Sequence, residues 1–268
     1  MISIDGSTGH VYLGELAVVP SPVSNYLENG LADSIATEGE EITALVTAVD
    51  RILKHADSVR RLKVRTNADN AEDSKWARNL GAEGIGLCRT EHMFLGDRRV
   101  LIERVILADN SNERNAALEA LLPMQQKDFE EIFEEMDSLP VTVRLLDPPL
   151  HEFLPDRTDL MVEVALGKER NEDVSRQELL LSAVDRLHES NPMLGLRGVR
   201  LGLVVPGLFP MQVRAIAQAA ITRMRAGGNP KVEIMIPLVG SVMELHLIRD
   251  EMDVLLAQIA SDENIKLP

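Results

Sequence analysis

The sequence has 268 residues and is 45% hydrophobic, enough to bury a sizeable core in one large α/β domain with or without an appendage. Its 28 Lys and Arg stand against 43 Asp and Glu, and the formal charge of -15 argues against a nucleic-acid partner, because binding a phosphate backbone needs a basic surface. Cys88 is the single cysteine, so no intrachain disulfide forms; there is no basic-then-apolar leader and no run near the roughly 18 apolar residues of a membrane span, and a cytoplasmic protein without membrane contact is expected.

Residues 2–13 alternate around Asp5-Gly6-Ser7-Thr8-Gly9, a pattern that predicts a small hairpin. A polar stretch opens at Ser21-Pro22. From Glu38 onward Ile42, Leu45, Val46, Val49, Ile52 and Leu53 recur at helical spacing, which predicts an amphipathic connecting helix. Strand-like runs follow at Leu62–Arg65, Gly84–Arg89, Val141–Leu146, a short one near Arg197–Leu201, and Val232–Val239. Helical patterns lie between them, clearest over Ala71–Leu80, Gln125–Met136, Pro210–Arg225 and Val242–Ile259, the third stopped by Gly227-Gly228 ahead of Pro230. Strands alternating with helices imply a parallel sheet, closed as a barrel or doubly wound. Val141-Thr142-Val143 and Ile234-Met235-Ile236 read as strands covered on both faces.

Parallel α/β folds work at the C-terminal ends of their strands, so a charge that ends an apolar run calls for a reason. Arg65, Arg89 and Arg144 each close such a run. Arg197 sits in Met193-Leu194-Gly195-Leu196-Arg197-Gly198-Val199-Arg200, where glycines allow close approach of a ligand. A planar, permanently charged guanidinium grips a carboxylate or phosphate through paired hydrogen bonds, so converging arginines point to an anionic ligand. The alternative is pairing with local acids: Asp69, Glu91, Asp147 or Glu152. Asp147-Pro148-Pro149-Leu150-His151-Glu152 reads as a rigid loop at the functional end. No G-x-x-x-x-G-K-[ST] loop occurs, and Gly84-Ile85-Gly86 is followed by Arg89 where a dinucleotide fingerprint needs glycine, so no nucleotide site is expected.

Gly81-Ala82-Glu83-Gly84-Ile85-Gly86-Leu87-Cys88-Arg89-Thr90-Glu91-His92-Met93-Phe94 resembles the signature of phosphoenolpyruvate-utilising enzymes. Val143-Arg144-Leu145-Leu146-Asp147-Pro148-Pro149-Leu150-His151-Glu152-Phe153-Leu154-Pro155 resembles a loop of the pyruvate, phosphate dikinases within that family, and so do Asn191–Leu201 and Lys231–Gly240. The resemblance implies a partial (β/α)8 barrel, about the first five β/α units, over residues 61–268, preceded by a linker with the connecting helix at 21–60 and by a remnant of the phosphohistidine swivelling domain at 1–20. It implies a phosphotransferase part that binds phosphoenolpyruvate or pyruvate, with Arg89, Arg144 and Arg197 as substrate-binding residues and Arg65 as a secondary candidate.

The same resemblance sets limits. Leu196 stands where dikinases usually have histidine, and Pro206-Gly207-Leu208-Phe209 replaces a more polar segment. The sequence ends at Lys266-Leu267-Pro268, ahead of the glutamate and aspartate that hold Mg²⁺ in the family and of its acid-base cysteine; Cys88 reads as a buried thiol. None of the six histidines lies in the family's T-S-H-x-A carrier context, and His92 and His151 read as loop residues. The expectation is a substrate-binding part that is not active alone. Alternatives are a non-catalytic phosphoenolpyruvate-binding or protein-interaction module, or the sibling enzymes phosphoenolpyruvate synthase and enzyme I of the phosphotransferase system. A barrel left open would expose strand edges, which predicts a homodimer.

Overall fold

The computed structural model describes residues 1–18, 21–37, 39–94, 96–108, 110–188, 191 and 195–267. The chain divides into two units, Met1–Lys63 and Val64–Pro268. In the first, β1 (Ile2–Ile4) and β2 (Val11–Leu13) form the expected antiparallel hairpin, pairing Ile2 with Leu13 and Ile4 with Val11. Its turn is held by Asp5 Oδ1, which accepts hydrogen bonds from the Ser7 and Thr8 amides. The helices α1 (Pro22–Asn29), α2 (Leu31–Thr37) and α3 (Glu40–Val59) follow. The Tyr26 hydroxyl of α1 donates to Asp50 Oδ1 of α3 at 3.0 Å. The connecting helix is thus present, while its expected first residue, Glu38, lies outside the described residues.

The second unit runs β3 (Thr66–Asn67), α4 (Ala71–Asn79), β4 (Ile85–Arg89), α5 (Arg99–Leu107), α6 (Ser111–Glu135), β5 (Pro140–Arg144), α7 (Arg157–Glu169), α8 (Ser175–Leu187), α9 (Val199–Val204), α10 (Leu208–Arg225), β6 (Lys231–Met235) and α11 (Val242–Asp262). The strands form one parallel sheet in the order β3-β4-β5-β6. Helix starts follow their capping residues. The side chains of Asn70, Asn110 and Asp156 accept from the first-turn amides of α4, α6 and α7, and Ser241 with Glu244 forms a reciprocal capping box on α11. The core lies between the sheet and helices α6 and α10, where Ile85, Cys88, Val141 and Val143 meet Phe129, Phe133, Phe209 and Ile216. No helix among the described residues is long and apolar enough to cross a membrane.

Three expectations are corrected. The first strand begins at Thr66, not within Leu62–Arg65, and Leu62 is 83% exposed. Only from Thr66 do amides reach β4, Thr66 N donating to Gly84 O and Ala68 N to Leu87 O. The strand expected near Arg197–Leu201 gives way to the short helix α9 from Val199, and β6 pairs directly with β5, leaving four parallel strands among the described residues where five were expected. Gly198 is the cause: with φ at +57° its amide donates to Asp147 O and the next amide, of Val199, to Pro237 O, so both donors serve loops and neither a ladder. Finally, Met235 is 37% exposed and β6 alternates rather than being covered on both faces.

The start of the β4–β5 pair depends on a backbone approach only glycine permits. At Gly84, φ is +149° and a Cβ would stand 2.6 Å from the Pro140 carbonyl oxygen. Gly84→Ala should therefore cost about 2–3 kcal/mol of stability in chemical denaturation. A loss below about 0.5 kcal/mol would show that the strands can part without consequence.

Candidate functional site

β4 and β5 end together: Cys88 is in register with Val143, Arg89 with Arg144, and Arg144 with Met235 of β6. Two guanidinium-bearing residues therefore leave adjacent parallel strands at the same level, about 4.8 Å apart along the hydrogen-bonding direction. Each is met by carboxylate. Asp69, in the turn after β3, accepts from the Arg89 amide at 2.6 Å, from its Nε at 3.0 Å and from its Nη2 at 2.6 Å. Arg144 Nη2 is paired with Glu91 Oε1, and its Nη1 lies 3.1 Å from Asp147 Oδ2. Arg197 donates to the same Asp147, from Nε to Oδ1 at 3.3 Å and from Nη2 to Oδ2 at 3.1 Å.

Arg89 and Arg144 thus end adjacent strands side by side, Arg144 and Arg197 share Asp147, and Asp69 and Glu91 each pair with one arginine, so the three arginines gather at one mouth. The expected pairing with local acids holds for those three carboxylates, and it does not dismantle the cluster. Asp147 is 3% exposed and bridges two arginines. Arg144 Nε and Glu91 Oε2 are buried without a hydrogen-bond partner.

Arg65 goes elsewhere. It precedes β3 and reaches across the sheet, its Nη1 and Nη2 bonding Glu233 of β6 at 2.6 and 3.1 Å and its Nη1 bonding Thr142 Oγ1 of β5 at 3.2 Å. Gly86 of β4 makes this crossing possible, since a Cβ there would stand 3.2 Å from Arg65 Cβ. The hydrogen bond from Arg65 holds the Glu233 carboxyl below its ordinary range, and Thr142 adds to this. Arg65 thereby forms a polar strut on the sheet face rather than part of the mouth.

Burial alone would push the Asp69 carboxyl upward. The Arg89 side-chain and amide bonds, with the charges of Arg89 and His92, outweigh burial and hold it below its ordinary value. His92 Nδ1 lies 2.8 Å from Asp69 Oδ2 and braces the same carboxylate. Burial pushes the Cys88 thiol far above its usual range, so it is inert in the core. Leu196 is partly buried against the core, and Pro206–Phe209 turns into α10, with Leu208 and Phe209 fully buried. Residues 192–194 of the glycine-bearing segment lie outside the described residues. Sequence reading missed Gln212 of α10, whose amide bonds both strand exits, Leu146 N to Oε1 at 2.9 Å and Nε2 to Thr90 Oγ1 at 3.0 Å. One glutamine inside a buried helical stripe was the available signal.

Among the described residues no three His, Cys, Asp or Glu side chains converge as metal ligands. The mouth carboxylates are each bonded to guanidinium. These residues do not fit a divalent cation such as Mg²⁺, and the roles assigned below are those of the arginines and their partners alone.

Residues 43–266 match the family described as PEP-utilising enzyme, PEP-binding domain. Curated relatives include a chloroplastic pyruvate, phosphate dikinase of Flaveria pringlei, 46% identical over 248 residues that make up 91% of this chain and 23% of the relative. The chloroplastic dikinase of Mesembryanthemum crystallinum is 43% identical over 272 residues, 99% of this chain and 26% of its own length. A dikinase of Giardia intestinalis is 44% identical over 249 residues, 92% of this chain and 25% of the relative. The chain spans about a quarter of the length of these relatives.

Because the Asp69 carboxyl is depressed in the fold, the stability it contributes is complete above its unfolded value, about pH 4, and is lost as pH falls through its folded value. Acid unfolding followed by circular dichroism should show Asp69→Asn less stable at neutral pH, with a shallower loss of stability below about pH 4 than the unaltered chain. Parallel curves for the two proteins would mean that Asp69 is not coupled to the fold in this way.

Proposed function

The chain belongs to the PEP-binding domain family of PEP-utilising enzymes, and on that premise we propose that the mouth built by Arg89, Arg144 and Arg197 binds phosphoenolpyruvate or pyruvate as the substrate-binding part of a pyruvate, phosphate dikinase. The observation that carries this reading is the register of Arg89 with Arg144 at the ends of adjacent parallel strands, with Arg197 joined to Arg144 through buried Asp147. The 43–46% identity to dikinases across nearly the whole chain favours that branch over phosphoenolpyruvate synthase and enzyme I.

A guanidinium offers five N–H donors. Arg89 spends its Nε and one Nη2 donor on Asp69, and Arg144 keeps a buried Nε with no bond. The half-exposed Arg89 keeps further Nη donors that Asp69 does not use, and these are proposed to bond an entering phosphoryl or carboxylate group without displacing its acid. In the proposed role the arginines hold the phosphoryl group and the enolate oxygen, where fixed positive charge stabilises the loose, highly charged arrangement of phosphoryl transfer. Arg65 supports the sheet beneath the mouth.

Transfer of the phosphoryl group between a phosphohistidine and pyruvate is assigned to a protein of the relatives' full length. The 268 residues, about a quarter of that length, are proposed to recognise substrate without turning it over. We also propose that the four strands are part of a barrel of β/α units, that residues 1–20 and 21–60 act as domain remnant and linker, and that the protein works in a reducing compartment, cytoplasm or chloroplast alike, which suits its single buried thiol.

Isothermal calorimetry tests the central claim. The unaltered chain should bind phosphoenolpyruvate, and Arg144→Leu should weaken binding about tenfold to hundredfold, the loss of one charge-assisted bond of about 1.5–3 kcal/mol. Equal affinity of the two proteins would remove the arginine from the site. The sheet has open edges at β3 and β6 among the described residues. A homodimer that covers an edge is accordingly proposed, and light scattering over a concentration series should give a mass above that of the 29.6 kDa chain. A monomer mass throughout would refute it.

A further inference from the structure

Helix α10 presents Phe209, Val213, Ile216 and Ala220 to the core, and Gln212 is buried among them at 0% exposure. A primary amide in such a place is tolerated only when both of its ends are bonded. Leu146 N can only donate, so the amide oxygen faces it and the nitrogen faces Thr90 Oγ1; the orientation follows from the partners.

The position of these partners gives Gln212 its meaning. The β4–β5 ladder ends at the Arg89–Arg144 pair. Beyond it the two exits separate: Thr90 opens a short 3₁₀ turn, while the Leu145 amide turns to Met235 O of β6. Thr90 is the residue after Arg89, and Leu146 directly precedes Asp147, the carboxylate shared by Arg144 and Arg197. One amide from the core side therefore takes over where the ladder stops. The Arg144–Glu91 pair also joins the exits, but at the mouth, where an anion competes for the guanidinium. The Gln212 bridge lies beneath, out of a ligand's reach.

We infer that Gln212 is a positioning residue, which sets the separation of Arg89 and Arg144 by clamping the exits of β4 and β5 and thereby tunes the affinity of the mouth for a phosphorylated carboxylic acid that it never touches. The inference rests on the phosphoenolpyruvate reading for its ligand and on the two hydrogen bonds for its geometry.

The test compares Gln212→Met, similar in length but without the amide, with Thr90→Val, which breaks one arm, and with Val213→Ala, which weakens the same helix without removing either hydrogen bond. Each is measured for melting temperature, for phosphoenolpyruvate affinity, and for the side-chain Nε–H resonances of Arg89 and Arg144 in the ligand-free chain. Gln212→Met should lose at least tenfold in affinity and move both resonances, and Thr90→Val should move them less in the same direction. Val213→Ala should melt earlier with affinity and resonances unchanged. A folded Gln212→Met with unaltered affinity and unmoved resonances overturns the inference, as does an equal effect of Val213→Ala. If the unaltered chain binds no phosphoenolpyruvate, the functional reading fails, and the resonances alone decide: moved in Gln212→Met but not in Val213→Ala supports clamping, and unmoved refutes it. If Gln212→Met does not fold, Thr90→Val is judged by the same readings.

Discussion

Two like charges that leave adjacent strands at the same level are the constraint from which the rest of the second unit follows. At strand spacing and an effective dielectric near 20, a pair of guanidinium charges repels by about 3 kcal/mol, a large share of a typical domain's net stability. The chain answers with a carboxylate for each approach: Asp69 from the turn after β3, Glu91 from the turn after β4, Asp147 from the loop after β5. Three arginines and three acids leave the mouth near neutrality. The energy that would have opposed folding is absorbed by pairing. In the proposed role, an anion would be met by guanidinium groups already held in place by their acids.

The pairing works only if the loops themselves are fixed, and the chain fixes them from several sides. Gly198 lets its amide reach Asp147 O and lets Val199 reach Pro237 O, so the Arg197 segment is sewn to the exits of β5 and β6. A Cβ on Gly198 would stand 2.9 Å from Pro237 O and 3.2 Å from Asp147 Oδ1, so no other residue could sit there unstrained. Arg99 of α5 bonds the carbonyls of Phe153 and Leu154, closing the far end of the Asp147–Pro155 loop. Phe153 stands edge-on to Phe94, with centroids 6.0 Å apart, so the two longest signature motifs meet in one aromatic contact.

What could be read from the residues divides along physical lines. A charge ending an apolar run is a local signal, and Arg89 and Arg144 were legible because each is the last residue of its short strand. Arg65 gave the same signal and went to a different place. What decides its course is Gly86, twenty-one residues away on the neighbouring strand, which clears a path to Thr142 and Glu233. Such a crossing depends on which strands are neighbours, which no run of residues states. The segment at 197–201 failed for a related reason. Its alternation of apolar residues suits a strand, but Gly198 diverts its amides to two loops from distant parts of the chain. Gln212 was visible as a polar residue in an apolar stripe, yet its partners, Thr90 and Leu146, are fixed only once α10 packs over the strand exits.

The two kinds of arginine also explain why the sheet has two different faces. Toward α6 and α10 it presents Ile85, Cys88, Val141 and Val143, close-packed and dry. On the other face lie Gly86, Thr142 and Glu233, and the Arg65 strut ties β5 and β6 to the segment that leads into β3. A purely apolar second face would hold the strands together only by burial, and it would demand a cover. The strut holds β5 and β6 to the segment before β3 by charge-assisted bonds that survive partial exposure, so that face can stay partly open. Arg65, though absent from the mouth, thus joins two of the sheet's strands on the face opposite the core.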